Sequence, residues 1–291
     1  MINTHEFRPG EPIPGTPYEV KRLLFRGASS VLYDVGGELV AKVYDGLRIP
    51  LTILRHPKVV TVRDVVKTDE RLSREVIVME RLDGTSIGDV LAWKERLKGR
   101  LPLRLALDVG VDVSSALSYL HAQGMTHGAL ALDKLFVERG SLGRAPGLRL
   151  LLSTRWAHID GGFPQYWSPE CMGEGQSRDP VDPMDVFALG ALLFETVTGH
   201  PAFPQSASVA EHLHLAQIKA GPPPILGIVV PKSFEALLQT CMAYQAADRP
   251  TAAELHAALR DVRERLPEPE DTAPLPRISR DLGEKLLRDL N

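Results

Sequence analysis

The hydrophobic period of this chain changes once, near residue 82, and that change constrains the fold more than any other feature. Before it, YEVKRLLF, SVLYDV, ELVAKVY, VVTVRDVV and REVIVME are short, rich in Val, Leu and Tyr, and punctuated by Gly27, Gly36-Gly37 and Gly46. That is the pattern of strands separated by turns. After it, LRLALDVGVDVSSALSYLHAQG and PMDVFALGALLFETVTG repeat apolar residues three and four apart and stop at Gly124 and Gly199, as amphipathic helices do. SFEALLQTCMAY and AAELHAALRDVRERL read as two more. A small β-rich half, residues 18–82, therefore precedes a larger helical half, residues 83–266. The expected class is α+β with two lobes, and 291 residues are enough to build it.

The ends read differently. Residues 1–17 carry four prolines and form an N-terminal extension, either an ordered strap or a loop. Residues 267–277, PEPEDTAPLPR, carry four more and read as a linker. Beyond it, Ile278, Leu282, Leu286 and Leu290 fall four apart, so residues 278–291 read as an amphipathic tail helix. Such a helix either packs back on its own domain or docks a partner.

Charge and cysteine content exclude several classes. With 37 acidic and 34 basic side chains the net charge is -3, and no Lys/Arg block marks a nucleic-acid surface. Cys171 and Cys241 alone make neither a disulfide framework nor a zinc site. They are expected as small packing residues in a reducing compartment. The start, MINTHEFRPGEPIPG, has no apolar core of signal-peptide type, and no stretch is long and apolar enough to span a membrane. A cytoplasmic location is the expectation.

Seven segments, in order over residues 18–266, resemble protein kinases. VAKVY resembles the strand that carries the phosphate-binding lysine, here Lys42. LRHPKVV is similar to the L-x-H-P-N-I-V that follows the αC helix. VIVMERLDGTSI resembles the hinge strand, with Met79 as gatekeeper and Glu80 to Leu82 as hinge. ALSYLHAQGMTH resembles the helix leading to the catalytic loop, and YWSPE stands where A-P-E stands. DPMDVFALGALLFETVTGHPAF and DRPTAAEL are similar to the two conserved helical signatures of the large lobe. The overall texture is closest to bacterial Ser/Thr kinases of eukaryotic type. The resemblance implies a bilobal kinase-like fold in which Glu170 pairs with Arg249, Asp185 holds the backbone of the catalytic loop, and His127 is retained. All four are structural positions.

The positions that handle phosphate are not retained. Phosphoryl transfer needs Mg²⁺ on the nucleotide and an oriented acceptor hydroxyl. The loop H-R-D-L-K-P-x-N reads HGALALDK, residues 127–134. Gly128 replaces the arginine that receives a phosphorylated activation segment, so regulation by phosphates at Ser153, Thr154, Tyr166 or Ser168 is not expected. Ala129 replaces the aspartate that accepts the hydroxyl proton, and a methyl group has no lone pair with which to do so. Ala131 replaces the lysine on the γ-phosphate. Lys134 replaces the metal-binding asparagine, and an ammonium repels Mg²⁺. Leu152-Ser153-Thr154 fills the place of D-F-G, and the alkyl group of Leu152 cannot bind a hard cation. Asp133 is too differently directed to substitute.

The small lobe is altered as well. The segment between Lys42 and His56 is short and contains no glutamate, so αC is expected to be stunted. Of the glycine-rich loop G-x-G-x-x-G only Gly27 remains, between Phe25 and Ser30. Val40 stands for an alanine in the roof of the adenine slot and Phe136 for a leucine in its floor, which narrows it. Candidate nucleotide-binding residues, if nucleotide binds, are Gly27, Val40, Lys42, Met79, Glu80, Leu82 and Phe136. No metal ligand is expected, and no cofactor unless ATP binds without metal. The expected function is that of a catalytically inactive kinase homologue, a pseudokinase acting as a protein-binding scaffold or regulator. Its partner would be an active kinase or a component of its pathway, not a nucleic acid. The alternatives are a metal-independent ATP-binding sensor and an atypical phosphotransferase.

Overall fold

In the computed structural model, residues 6–26, 30–45, 54–69, 74–93, 99–138, 147–151, 163–172, 181–204 and 211–267 are described. Gly27, the αC segment 46–53, the Leu152–Thr154 positions, the rest of the linker and the tail lie outside them. The chain divides into two compact units, Met1–Leu82 and Asp83–Asn291.

The first unit is an antiparallel sheet of β1 (Arg22–Arg26), β2 (Ser30–Gly36), β3 (Leu39–Asp45), β4 (Val62–Asp69) and β5 (Arg74–Glu80), in the order β1-β2-β3-β5-β4. Alternate side chains go to opposite faces. Val31, Tyr33 and Val35 of β2, Ala41 and Val43 of β3, and Val76 and Val78 of β5 share a buried core. The proline-rich extension is an ordered strap that completes this core with Phe7 and Ile13, joined by Val20 just beyond it. Ile13 and Val20 are fully buried, a burial worth about 1.5–3 kcal/mol each. The strap is pinned by a Gly10 N–H donating to Val20 O at 2.8 Å, a Pro12–Glu19 bridge, and a Phe7 N–H donating to the Tyr33 hydroxyl at 3.1 Å. Between β2 and β3 the chain reverses through Gly36, Gly37 and Glu38 at φ of 78°, 59° and 58°. Two glycines place the positive φ where it costs nothing.

The second unit holds α1 (Ile87–Trp93), α2 (Leu103–Ala122), α3 (Asp182–Thr198), α4 (Glu211–Ala220), α5 (Lys232–Cys241) and α6 (Ala252–Glu264). It also holds a three-stranded sheet of β6 (Gly84–Ser86), β7 (Leu135–Glu138) and β8 (Leu148–Leu150). The larger half is helical as expected, and this small sheet lies within it; strands of three and four residues are too short to show a period. Helix α3 is buried on nearly every side and packs against α2, α5 and α6. A Cβ on its Gly190 would lie 2.7 Å from Cβ of Cys241, so the α3–α5 approach requires glycine. Gly199, at φ 81°, ends α3 in the left-handed conformation. Thr251 starts α6 with a reciprocal capping box to Glu254. Cys171 and Cys241 are both free thiols, and burial pushes that of Cys241 up to about 12. Among the described residues no helix is long and apolar enough to cross a membrane.

Candidate functional site

The loop between α2 and β7, residues 125–134, is held from one side by Asp185 in the first turn of α3. Its Oδ2 accepts from the His127 amide and its Oδ1 from the Gly128 amide, both at 2.8 Å. Nε2 of His121, in the last turn of α2, also donates to Oδ2 at 2.8 Å. Asp185 is 1% exposed, so a buried carboxylate spends its lone pairs on three donors that would otherwise be orphaned. Gly128 takes φ 69° to present its amide.

The His127 ring closes the loop on itself. The Ala129 amide donates to Nδ1 at 3.3 Å and Nε2 lies 2.9 Å from Leu151 O, which can only accept. The ring is therefore the neutral tautomer protonated on Nε2. Burial holds its pKa below the ordinary histidine value, against the pull of Asp185. The Leu151 amide returns a bond to Lys134 O at 2.8 Å. Both ends of the loop are thus tied to the residue that precedes Leu152.

The side chains that this backbone presents are apolar or mutually paired. Ala129 and Ala131 are 9% and 4% exposed methyl groups. Lys134 Nζ lies 2.6 Å from Asp133 Oδ2, while Asp133 Oδ1 is buried without a hydrogen-bond partner. Phe136 follows on β7, opposite Ser86 of β6. Among the described residues no three His, Cys, Asp or Glu side chains come together as a metal cluster.

Deeper in the same unit, Arg249 makes a two-pronged pair with Glu170, Nη2 to Oε1 at 2.8 Å and Nη1 to Oε2 at 3.1 Å. The guanidinium is wholly buried, donates as well to the carbonyls of Ala243, Pro183 and Tyr244, and lies 5.0 Å from the Phe187 ring centre. Tyr166 donates to Glu195 Oε2 at 2.8 Å. Burial pushes the Tyr166 hydroxyl well above the usual phenol range and raises Glu195 too.

In the first unit, Val40 and Lys42 of β3 lie opposite Met79 and Ile77 of β5, on the face away from the strap. Lys42 Nζ sits 5.0 Å above the ring of Tyr44, two residues along the same strand. Glu80 Oε1 accepts from the Thr61 amide at 2.8 Å. Arg81 bridges Asp34 Oδ2, at 3.2 Å, and Glu38 Oε1, at 2.8 Å. The Gly36 amide, then Arg22 and Arg81, hold the Asp34 carboxyl below its usual range despite burial. Leu82 ends this unit, half-buried.

The structure thus brings Asp185, His127, Ala129, Ala131 and Lys134 into one loop assembly and sets Glu170 on Arg249. The sequence reading missed His121, the Tyr166–Glu195 bond and the Arg81–Asp34–Glu38 bridge. Only the last had a visible signal, an aspartate two residues before Gly36-Gly37 that accepts the Gly36 amide at 2.9 Å.

Known proteins share this plan. The family described as protein kinase domain matches residues 47–258. The Ser/Thr kinase PkaA of Streptomyces coelicolor is 30% identical over 226 residues, 75% of this chain and 39% of the relative. PknK of Mycobacterium tuberculosis is 31% identical over 233 residues, 76% of this chain and 20% of the relative. A probable Ser/Thr kinase of Clostridium perfringens is 29% identical over 216 residues, 72% of this chain and 30% of that one. The chain thus spans between a fifth and two fifths of these relatives' lengths. Among solved structures, the kinase domain of Mycobacterium tuberculosis PknI superposes with a TM-score of 0.62 at 21% identity, over 88% of this chain and 99% of that one. The two-unit architecture, the loop held by an aspartate of α3 and the matched family agree: this chain belongs to the protein kinase family and is homologous to the bacterial Ser/Thr kinases.

Proposed function

We propose that this kinase domain is a pseudokinase, a cytoplasmic protein-binding scaffold or regulator that transfers no phosphate. Its partner is a protein of a signalling pathway, an active kinase or a component acting with one. The observation that carries the reading is the contrast within residues 127–134. Asp185, itself bonded by His121, holds the His127 and Gly128 amides, and Leu151 bonds the His127 ring and the Lys134 carbonyl, while Ala129 and Ala131 offer methyl groups and Lys134 offers an ammonium. Mg²⁺ does not fit the described residues of the loop. The one carboxylate, Asp133, is already neutralised by Lys134 at 2.6 Å, and a hard cation needs several oxygen ligands. Without a proton acceptor a kinase forgoes roughly 10²–10⁴ in rate, and without metal it loses the clamp on the phosphates.

The second reading, nucleotide binding without metal, is favoured by Lys42, which the first unit retains on the same sheet face as Val40 and Met79. An atypical phosphotransferase has less support, because it too needs acidic metal ligands.

Melting the full chain with and without saturating ATP, in Mg²⁺ and in EDTA, separates the readings. Ligand at about 100 times its Kd stabilises by roughly 2.7 kcal/mol. The scaffold reading expects no shift in either buffer. A shift that persists in EDTA and is removed by Lys42→Ala establishes the sensor reading instead. A shift that requires Mg²⁺ contradicts both.

A further inference from the structure

We propose that residues 278–291 dock in cis on the exposed apolar loop between α4 and α5. The loop, residues 221–231, reads GPPPILGIVVP. Leu226 is 79% exposed and Val229 96%, the two most exposed large apolar side chains among the described residues. Isolated exposed apolar residues are ordinary, but two in one short loop mark an interaction surface.

The loop is built to present them. Pro222 to Pro224 and Pro231 restrict φ on both sides. The Ile225 amide donates to Glu235 Oε1 of α5 at 3.3 Å, and Gly227 turns the tip at φ 72°. A contact surface already ordered loses little entropy when it is covered.

The chain itself carries a segment suited to cover it. Described residues end at Pro267, whose carbonyl accepts from Arg104 Nη1 at 3.1 Å. In the sequence of residues 278–291, Ile278, Leu282, Leu286 and Leu290 fall four apart, the spacing of one helical face, flanked by three basic and three acidic side chains: Arg280, Lys285 and Arg288 against Asp281, Glu284 and Asp289. That balance suits a loop with no charged residue between Gly221 and Pro231. Reach is sufficient. Ten linker residues extend about 33–36 Å, while α5 and α6, which pack together, are about 15 and 20 Å long. A tether of this length also gives an effective concentration near the millimolar range, which favours the chain's own tail over a second copy.

Hydrogen exchange on the full chain tests this, whether or not the domain transfers phosphate. The chains compared are wild type, Leu226→Asp/Val229→Asp and Leu282→Asp/Leu286→Asp. Leu226 and Val229 lie outside the domain's own core, so their replacement should leave the domain folded and cost it no more than the lost tail contact. In the wild type the amides of 278–291 should exchange slowly. Either variant should speed them by about tenfold or more, about 1.4 kcal/mol of lost protection. Protection should not vary across a roughly tenfold range of protein concentration. Three results each overturn the proposal: tail amides exchanging at the unprotected rate in the wild type, protection that survives Leu226→Asp/Val229→Asp, and protection that rises with concentration. The last would assign the loop to a second copy.

Discussion

The two sides of the 127–134 loop differ as sharply as any two regions of the molecule. On the side facing α3, the His127 and Gly128 amides share the carboxylate of Asp185 with His121, and the His127 ring is bonded at both nitrogens. For the side chains of positions 129, 131 and 134, the only polar contact among the described residues is the short pair of Lys134 with Asp133. Folding constrains the first side, since a buried donor without a partner costs about 1–3 kcal/mol. The second side carries no such framework bond, only two buried methyl groups and an ion pair. A loop whose framework is complete and whose reactive positions are methyl groups and an ammonium is what the pseudokinase reading accounts for.

If that contrast is right, substitutions should sort by side. Asp185→Ala should be the most damaging, lowering unfolding stability in denaturant titrations by about 3–5 kcal/mol because three donors are left buried. A loss below about 1 kcal/mol would remove the distinction. Glu170→Ala should cost somewhat less, about 2–4 kcal/mol, because Arg249 keeps its three carbonyl acceptors. With Arg249→Leu added, the two losses should be non-additive by about 1 kcal/mol or more. Simple additivity would mean the pair is not coupled.

Acid sharpens the comparison next. Burial depresses the pKa of both His127 and His214 in the folded chain. Between the folded value and the unfolded value near 6.5, each histidine binds more protons in the unfolded chain, so its contribution to stability falls as pH drops below about 6.5. The slope per histidine cannot exceed about 1.4 kcal/mol per pH unit. Melting curves from pH 7.5 to 5 should show this slope, and His127→Gln should flatten it; an unchanged slope would mean His127 titrates freely. Lys134→Asn should do least. Its pair with Asp133 is partly exposed on both sides, and such pairs are worth about 0–1 kcal/mol. A larger loss would give Lys134 a structural role that this account denies it.

Much of this was legible in the sequence, and the gaps have physical causes. The resemblance of the DPMDVF and DRPTAAEL runs to kinases placed Asp185, in the first turn of α3, and Arg249, just ahead of α6. Helix α4 was not anticipated: EHLHLAQIKA buries only His214 and Ile218, too few for a stripe. Strands β6 and β7 were not anticipated because three and four residues are too short to alternate visibly. The strap's contribution to the core was hidden because proline-rich text announces turns, while Phe7 and Ile13 act through tertiary packing. His121 is the clearest limit. Its ring reaches Asp185 across 64 positions of chain, and no local pattern encodes such a meeting.

The most direct test of the central claim is transfer of labelled γ-phosphate from ATP, to the chain itself and to a basic acceptor protein, in Mg²⁺ and in Mn²⁺. The account predicts no incorporation above that of a chain carrying Lys42→Ala, in either metal. Incorporation by the wild-type chain that Lys42→Ala removes would contradict it, and would mean that residues other than Ala129 and Lys134 supply the proton acceptor and the metal ligands.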